Sequence, residues 1–179
     1  MLDEKRIKEA ENNVKRYLEE GLLKKVIKYD INLINIFRKN SEESLKVADF
    51  SYKNNLSWLW VIVCSYYSMF YVANAVIYNS GHKVGTKIAH KVTSDTLMVF
   101  VRKKLKEKLL EDFETAKEEA LELAGLRADE LIESFEFERL KRSRFQYEMT
   151  ESLKKNKAET SLDRAKKFVF EMEKLLLKK

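Results

Sequence analysis

A chain of 179 residues is long enough to bury a sizeable core and is expected to form a single domain. It contains no proline and only four glycines, which excludes turn-rich sandwiches and barrels and suits long helices. Lysine plus arginine exceed aspartate plus glutamate by 35 to 29, a moderate surplus that permits contact with nucleic acid without requiring it. Much of that surplus reads as a solvated helix surface laced with opposite charges at helical spacing.

A first amphipathic helix, roughly Glu4 to Lys25, puts Ile7, Ala10, Val14, Tyr17 and Leu18 on one face, with Gly21 ending or bending it. A second, from about Ile31 to Asn54, keeps a three-four spacing through Ile34, Phe37, Leu45, Ala48 and Tyr52 across a polar Ser41. The third segment is distinctive: 36% of the chain is charged, yet no Asp, Glu, Lys or Arg falls between Asn54 and His82. Trp58 to Tyr78 is long enough to span a bilayer. Against a span, Ser65, Ser68, Asn74 and Tyr66, Tyr67 and Tyr71 would place polar atoms in mid-membrane, and the aromatics are not gathered into belts at the two ends. Several amphipathic stripes elsewhere also need a surface to cover, so the segment is expected to be a buried central helix ending at Ser80-Gly81.

A loop is expected from Lys83 to His90, with Thr93 or Ser94 capping a fourth helix that carries Leu97, Val101 and Leu105. A fifth helix is expected from near Phe113 through Ala120, Ala124, Ala128, Leu131 and Phe135, thinning towards Tyr147. Residues 150–159 read as a polar loop, and Thr160-x-x-Asp163 as a capping-box variant opening a last helix with Leu162, Ala165, Val169, Met172 and Leu176 on one face. The predicted architecture is all-α: an up-and-down bundle of five or six helices around a central apolar helix. Residues 1–30 form an N-terminal helical extension and 31–179 the bundle.

Several chemistries are excluded by residue inventory. The lone Cys64 cannot form an internal disulfide and reads as a small core residue. One cysteine and two separated histidines cannot build a zinc cluster, and Lys87 and Asn79 occupy the positions where a di-iron bundle would need Glu before His90 and His82. No glycine-rich phosphate loop is present, and no metal or cofactor is expected. Glu111, Asp112, Glu114, Glu118 and Glu119 read as a solvated face, and no run alternates aromatic with basic residues as a nucleic-acid platform would. The charged start carries no apolar signal region, so a cytoplasmic location is expected.

The helix SYYSMFYVANAVIYNSGHK, the loop AHK that follows, and RFQYE before the last amphipathic helix together resemble the HEPN domain family, the higher eukaryotes and prokaryotes nucleotide-binding domains. The resemblance rests on Tyr66, Tyr67, Phe70, Ala73, Ala75 and Gly81, on His90 and Lys91, and on Arg144 and Tyr147, and it covers about Leu33 to Leu177. It implies a nucleotide- or RNA-phosphate-binding module, partnered with a minimal nucleotidyltransferase in a toxin–antitoxin-type system. Alternatively it implies a metal-independent ribonuclease. The family's ribonuclease signature is an arginine followed after four to six residues by histidine. Here both histidines, His82 and His90, lie upstream, and Tyr147 stands where a histidine is expected after Arg142. With a pKa near ~10, tyrosine is a poor base, so any ribonuclease would be degenerate. The expected phosphate-binding residues are therefore Arg142, Arg144, Tyr147, His90 and Lys91, with Arg144 and Tyr147 the candidates for catalysis. Arg144 and Tyr147 are three apart and share a helical face, suited to one phosphate and its ribose or base. Tyr66 and Tyr67 read as core or interface residues. A homodimer is expected, and a purely structural scaffold without a ligand is the remaining reading.

Overall fold

A computed structural model describes residues 4–124 and 150–177. Six α-helices occur among them, with one two-stranded antiparallel sheet: α1 (Glu4–Glu19), β1 (Leu23–Lys25), α2 (Ile31–Lys53), α3 (Trp58–Asn79), β2 (His82–Val84), α4 (Ala89–Thr96), α5 (Glu107–Ala124) and α6 (Glu151–Leu177). A π-helical turn (Leu97–Val101) and a 3-10 turn (Arg102–Lys104) join α4 to α5. The all-α bundle expected from composition is the observed architecture.

The charge-free segment is the axis of the bundle. It is long and apolar enough to cross a membrane, but 72% of its most apolar window is buried inside the fold. On one side α2 packs against it: Ile34 meets Ala75 and Tyr78, Ala48 meets Val61, and Ser41 Oγ donates to the Ser68 carbonyl at 2.7 Å. On the other, Ala165, Phe168 and Met172 of α6 and Leu110, Phe113 and Ala116 of α5 close over Tyr66, Met69 and Ala73. Phe113 stacks on Phe168 with ring centroids 5.3 Å apart. Ser57 and Asp30 cap α3 and α2 through side-chain oxygens that accept backbone N–H groups.

Both strands are reached through a glycine in the left-handed region, Gly21 at φ 71° and Gly81 at φ 91°, which ends the preceding helix and turns the chain. Leu23 then pairs with Val84, Lys24 with Lys83, and Lys25 with His82. The sheet replaces the end of the expected first helix and the start of the expected loop.

Three boundaries differ from expectation. The fourth helix starts at Ala89, and Thr93 and Ser94 are buried within it instead of capping it; Thr93 faces Asn74 of α3, whose amide lies 3.2 Å from its hydroxyl. The fifth begins earlier, at Glu107. The stretch read as a loop before Thr160 belongs to α6. Thr150 Oγ accepts from the Leu153 N–H at the true start, while Thr160 is interior and donates to the Asn156 carbonyl. Lysine, glutamate and alanine are good helix formers, and their polarity hid the helix. The positions expected to be apolar from Ala128 to Tyr147 lie outside the described residues. The sequence left open where the N-terminal helix goes; α1 packs on its own chain, with Val14 and Tyr17 against Val92 and Leu23.

Candidate functional site

The start of α4 is fixed by packing. Ile88, its N-terminal flanking residue, adopts the left-handed conformation at φ 44°, unfavourable for a β-branched side chain. Its side chain sits against the Val14, Tyr17, Leu23 and Val92 cluster, which holds it there. This places His90 in the first turn, against the aromatic face of α3: ring centroids lie 4.5 Å from Phe70, 5.6 Å from Tyr66 and 5.9 Å from Tyr67. Tyr66 Oη lies 2.8 Å from His90 Nδ1. Tyr66 is fully buried, with Phe113 beneath its ring at 5.8 Å. Burial pushes its phenol well above the ordinary value, and the nearby Tyr67 and Glu114 push the same way. Its hydroxyl therefore stays protonated and either donates to His90 Nδ1 or accepts from it, according to the tautomer of the ring. Lys91, next in the turn, is exposed.

One turn further along α4 lies a network of paired charges. Asp95 is completely buried; it accepts from Tyr17 Oη at 2.9 Å and Asn13 Nδ2 at 3.1 Å, and meets the Arg6 guanidinium at 2.7 Å. Arg6 also lies 3.7 Å from Glu114 of α5, which takes Lys117 Nζ at 3.1 Å, and Lys117 reaches Ser94 Oγ at 3.4 Å. Burial first, and then Asp95, raise the Tyr17 pKa, so its hydroxyl stays protonated. This network ties α1 to α4 and α5, next to the His90 centre.

Of the residues singled out in the sequence, His90 and Lys91 stand together in the first turn of α4, while Arg142, Arg144 and Tyr147 lie outside the described residues. Tyr66 is a core residue as read, but its hydroxyl also orients His90. The signal was present, because a tyrosine buried in a charge-free helix must find a partner for its hydroxyl. Asp95 and Arg6 were missed, being ordinary charged residues 89 positions apart with no local pattern. Among the described residues, no three His, Cys, Asp or Glu side chains are grouped to hold a metal ion. At the α2–α3 corner, Phe50, Leu56 and Trp60 are all more than half exposed.

Comparison of the chain with protein-family models, with curated proteins and with solved structures gave no match.

Proposed function

We propose that this chain is a HEPN-like module that binds a nucleotide or an RNA phosphate at the start of α4, beside a minimal nucleotidyltransferase partner. The observation that carries the reading is the 2.8 Å contact between buried Tyr66 and His90, which orders a titratable ring in the first turn of a helix with Lys91 adjacent. A helix start offers outward amide groups and a positive dipole end to an anion. Arg142, Arg144 and Tyr147 complete the proposed binding set, with Arg144 and Tyr147 the candidates for catalysis if chemistry occurs. The exposed Phe50, Leu56 and Trp60 suit a homodimer face.

Calorimetric titration with AMP tests this reading. Binding that weakens at least tenfold in His90→Gln and in Arg144→Ala supports it; equal affinity in all three proteins overturns it. RNA cleavage in EDTA that Arg144→Ala and Tyr147→Phe both abolish would instead establish the degenerate ribonuclease.

A further inference from the structure

We propose that Tyr67 and Tyr71 of α3, beside His90, form a stacking platform for a nucleobase, so that the ligand is a nucleotide and not a bare phosphate or a sugar phosphate. The proposal deepens the reading above and rests on it for the place of the phosphate; the platform itself rests on the geometry of the rings.

The charge-free helix is not buried all round. Trp60, Tyr67 and Tyr71 recur at helical spacing on a side that is only partly covered: Trp60 is 56% exposed, and Tyr67 and Tyr71 are half-buried. The outward faces of the neighbouring helices carry charge, as a helix surface in water normally does; Lys39 and Glu43 on α2 and Asp163 and Lys167 on α6 are all exposed. The corresponding positions of α3 are aromatic and uncharged. They offer flat apolar area, with a polar hydroxyl at the edge of each tyrosine, which is the surface a planar heterocycle covers well.

The two rings are held before any ligand arrives. Tyr67 and Tyr71, one turn apart, have centroids 6.0 Å from each other at an interplanar angle of 38°. Tyr67 is braced by Tyr66 at 5.8 Å and by Phe70 at 6.3 Å, and Tyr71 by Phe70 at 5.8 Å. Rings fixed in advance lose little conformational freedom when a base stacks on them. His90 joins this cluster to the first turn of α4: its ring lies 5.9 Å from Tyr67, at 80° to it, and 4.5 Å from Phe70. A phosphate held at that turn leaves the base, one ribose away, against Tyr67 and Tyr71. Burial, with Tyr71 adding to it, raises the Tyr67 phenol above its ordinary value, so the hydroxyl stays protonated and can donate to a ring nitrogen or a ribose oxygen. Stacking of this kind accepts any base, because every base has a π-face. A second copy of the chain seated on the same side would also cover the tyrosines; the presence of His90 within the ring cluster favours the nucleotide.

The test is calorimetry with AMP, adenosine and ribose 5-phosphate on the parent, Tyr71→Leu, Tyr67→Leu, Tyr71→Phe and His90→Gln, with sedimentation of each protein to record its oligomeric state. The parent is expected to bind AMP about tenfold or more tighter than ribose 5-phosphate, the factor that stacking one base on an aromatic ring supplies. Tyr71→Leu should abolish that gap while leaving ribose 5-phosphate binding as it was, and Tyr71→Phe should keep it. Tyr67→Leu should act in the same way; Tyr67 has more ring contacts, so Tyr71→Leu decides the matter where thermal melts show Tyr67→Leu unfolding early. The H2 and H8 protons of AMP bound to the parent should move upfield in the ring currents of the tyrosines, and this shift should be lost in Tyr71→Leu. Equal affinity of the parent for AMP and ribose 5-phosphate, a gap that survives in Tyr71→Leu, or tyrosine variants that dissociate a dimer yet bind AMP normally overturns the proposal. Failure of the His90 reading looks different: ribose 5-phosphate does not bind and His90→Gln changes nothing, while the parent still binds adenosine and Tyr71→Leu loses it.

Discussion

In its later turn, α4 carries Asp95, fully buried and paired with Arg6, Tyr17 and Asn13, with Glu114 and Lys117 close by. In its first turn it carries His90 and exposed Lys91, joined by Lys83 and Lys87 on the approach and faced by no acidic residue of that turn. Both regions concentrate charge, and the same short helix connects them. One satisfies every cation with a carboxylate and is explained by folding. The other adjoins the β1–β2 sheet, where Lys24 and Lys83 stand opposite each other as a like-charge pair.

The largest expected effect comes from breaking the compensated region. Asp95→Ala leaves Arg6 and Tyr17 facing a cavity without their acceptor, and removing one partner of a buried ion pair costs about 3 kcal/mol or more. Urea denaturation measures it. The exposed-surface counterpart is Arg38→Ala, which breaks the Arg38–Glu173 contact at 2.6 Å on a half-open surface. Its cost is expected to be about 1 kcal/mol or less. Equal losses in the two variants would remove the distinction between a buried network and an ordinary surface pair. Tyr66→Phe should cost about 1 kcal/mol by deleting the hydrogen bond to His90. Nitrogen NMR of His90 should also show a mixed tautomer where the parent has one. An unchanged tautomer would mean that Tyr66 packs against the ring without orienting it.

The residues that were legible in advance are those whose meaning is local. The charge-free run from Asn54 to His82 announced a central helix and Gly81 marked where α3 stops, whereas Gly21 was left as an end or a bend and the helix was carried to Lys25, where a strand stands. The start of α6 was misplaced because residues 151–159 are polar, although polarity does not oppose a helix whose face includes a buried Ala158. His90 and Lys91 were singled out by resemblance, and their position in the first turn of α4 followed only once Ile88 and its apolar neighbours were placed. The Lys24–Lys83 pair and the Asp95 network were not legible. Lys24 and Lys83, or Arg6 and Asp95, become neighbours only through tertiary packing, and one-dimensional spacing carries no trace of it.

A smaller effect sharpens the comparison from the side of the sheet. Lys83→Glu turns a repulsive cross-strand pair with Lys24 into an attractive one, and should stabilise the protein by about 0.5 kcal/mol. A destabilised Lys83→Glu would mean that the lysines on the sheet do not repel.

The smallest effect concerns His82, which stands opposite Lys25 in this sheet and stacks on Phe100 at 4.1 Å. Burial lowers its pKa below the ordinary 6.5; a backbone hydrogen bond at Ser80 partly offsets this, and Lys25 adds to the lowering. On acidification the unfolded chain therefore takes up this proton before the folded one. Stability rises with pH wherever the unfolded state binds more protons, so it should be flat above the ordinary value and fall as pH drops below it. The loss is complete once the pH is below the folded pKa. Thermal melts of the parent against His82→Gln isolate this step, because Glu42, Asp49 and Glu151, whose pKa values are lowered by their lysine partners, titrate at more acidic pH.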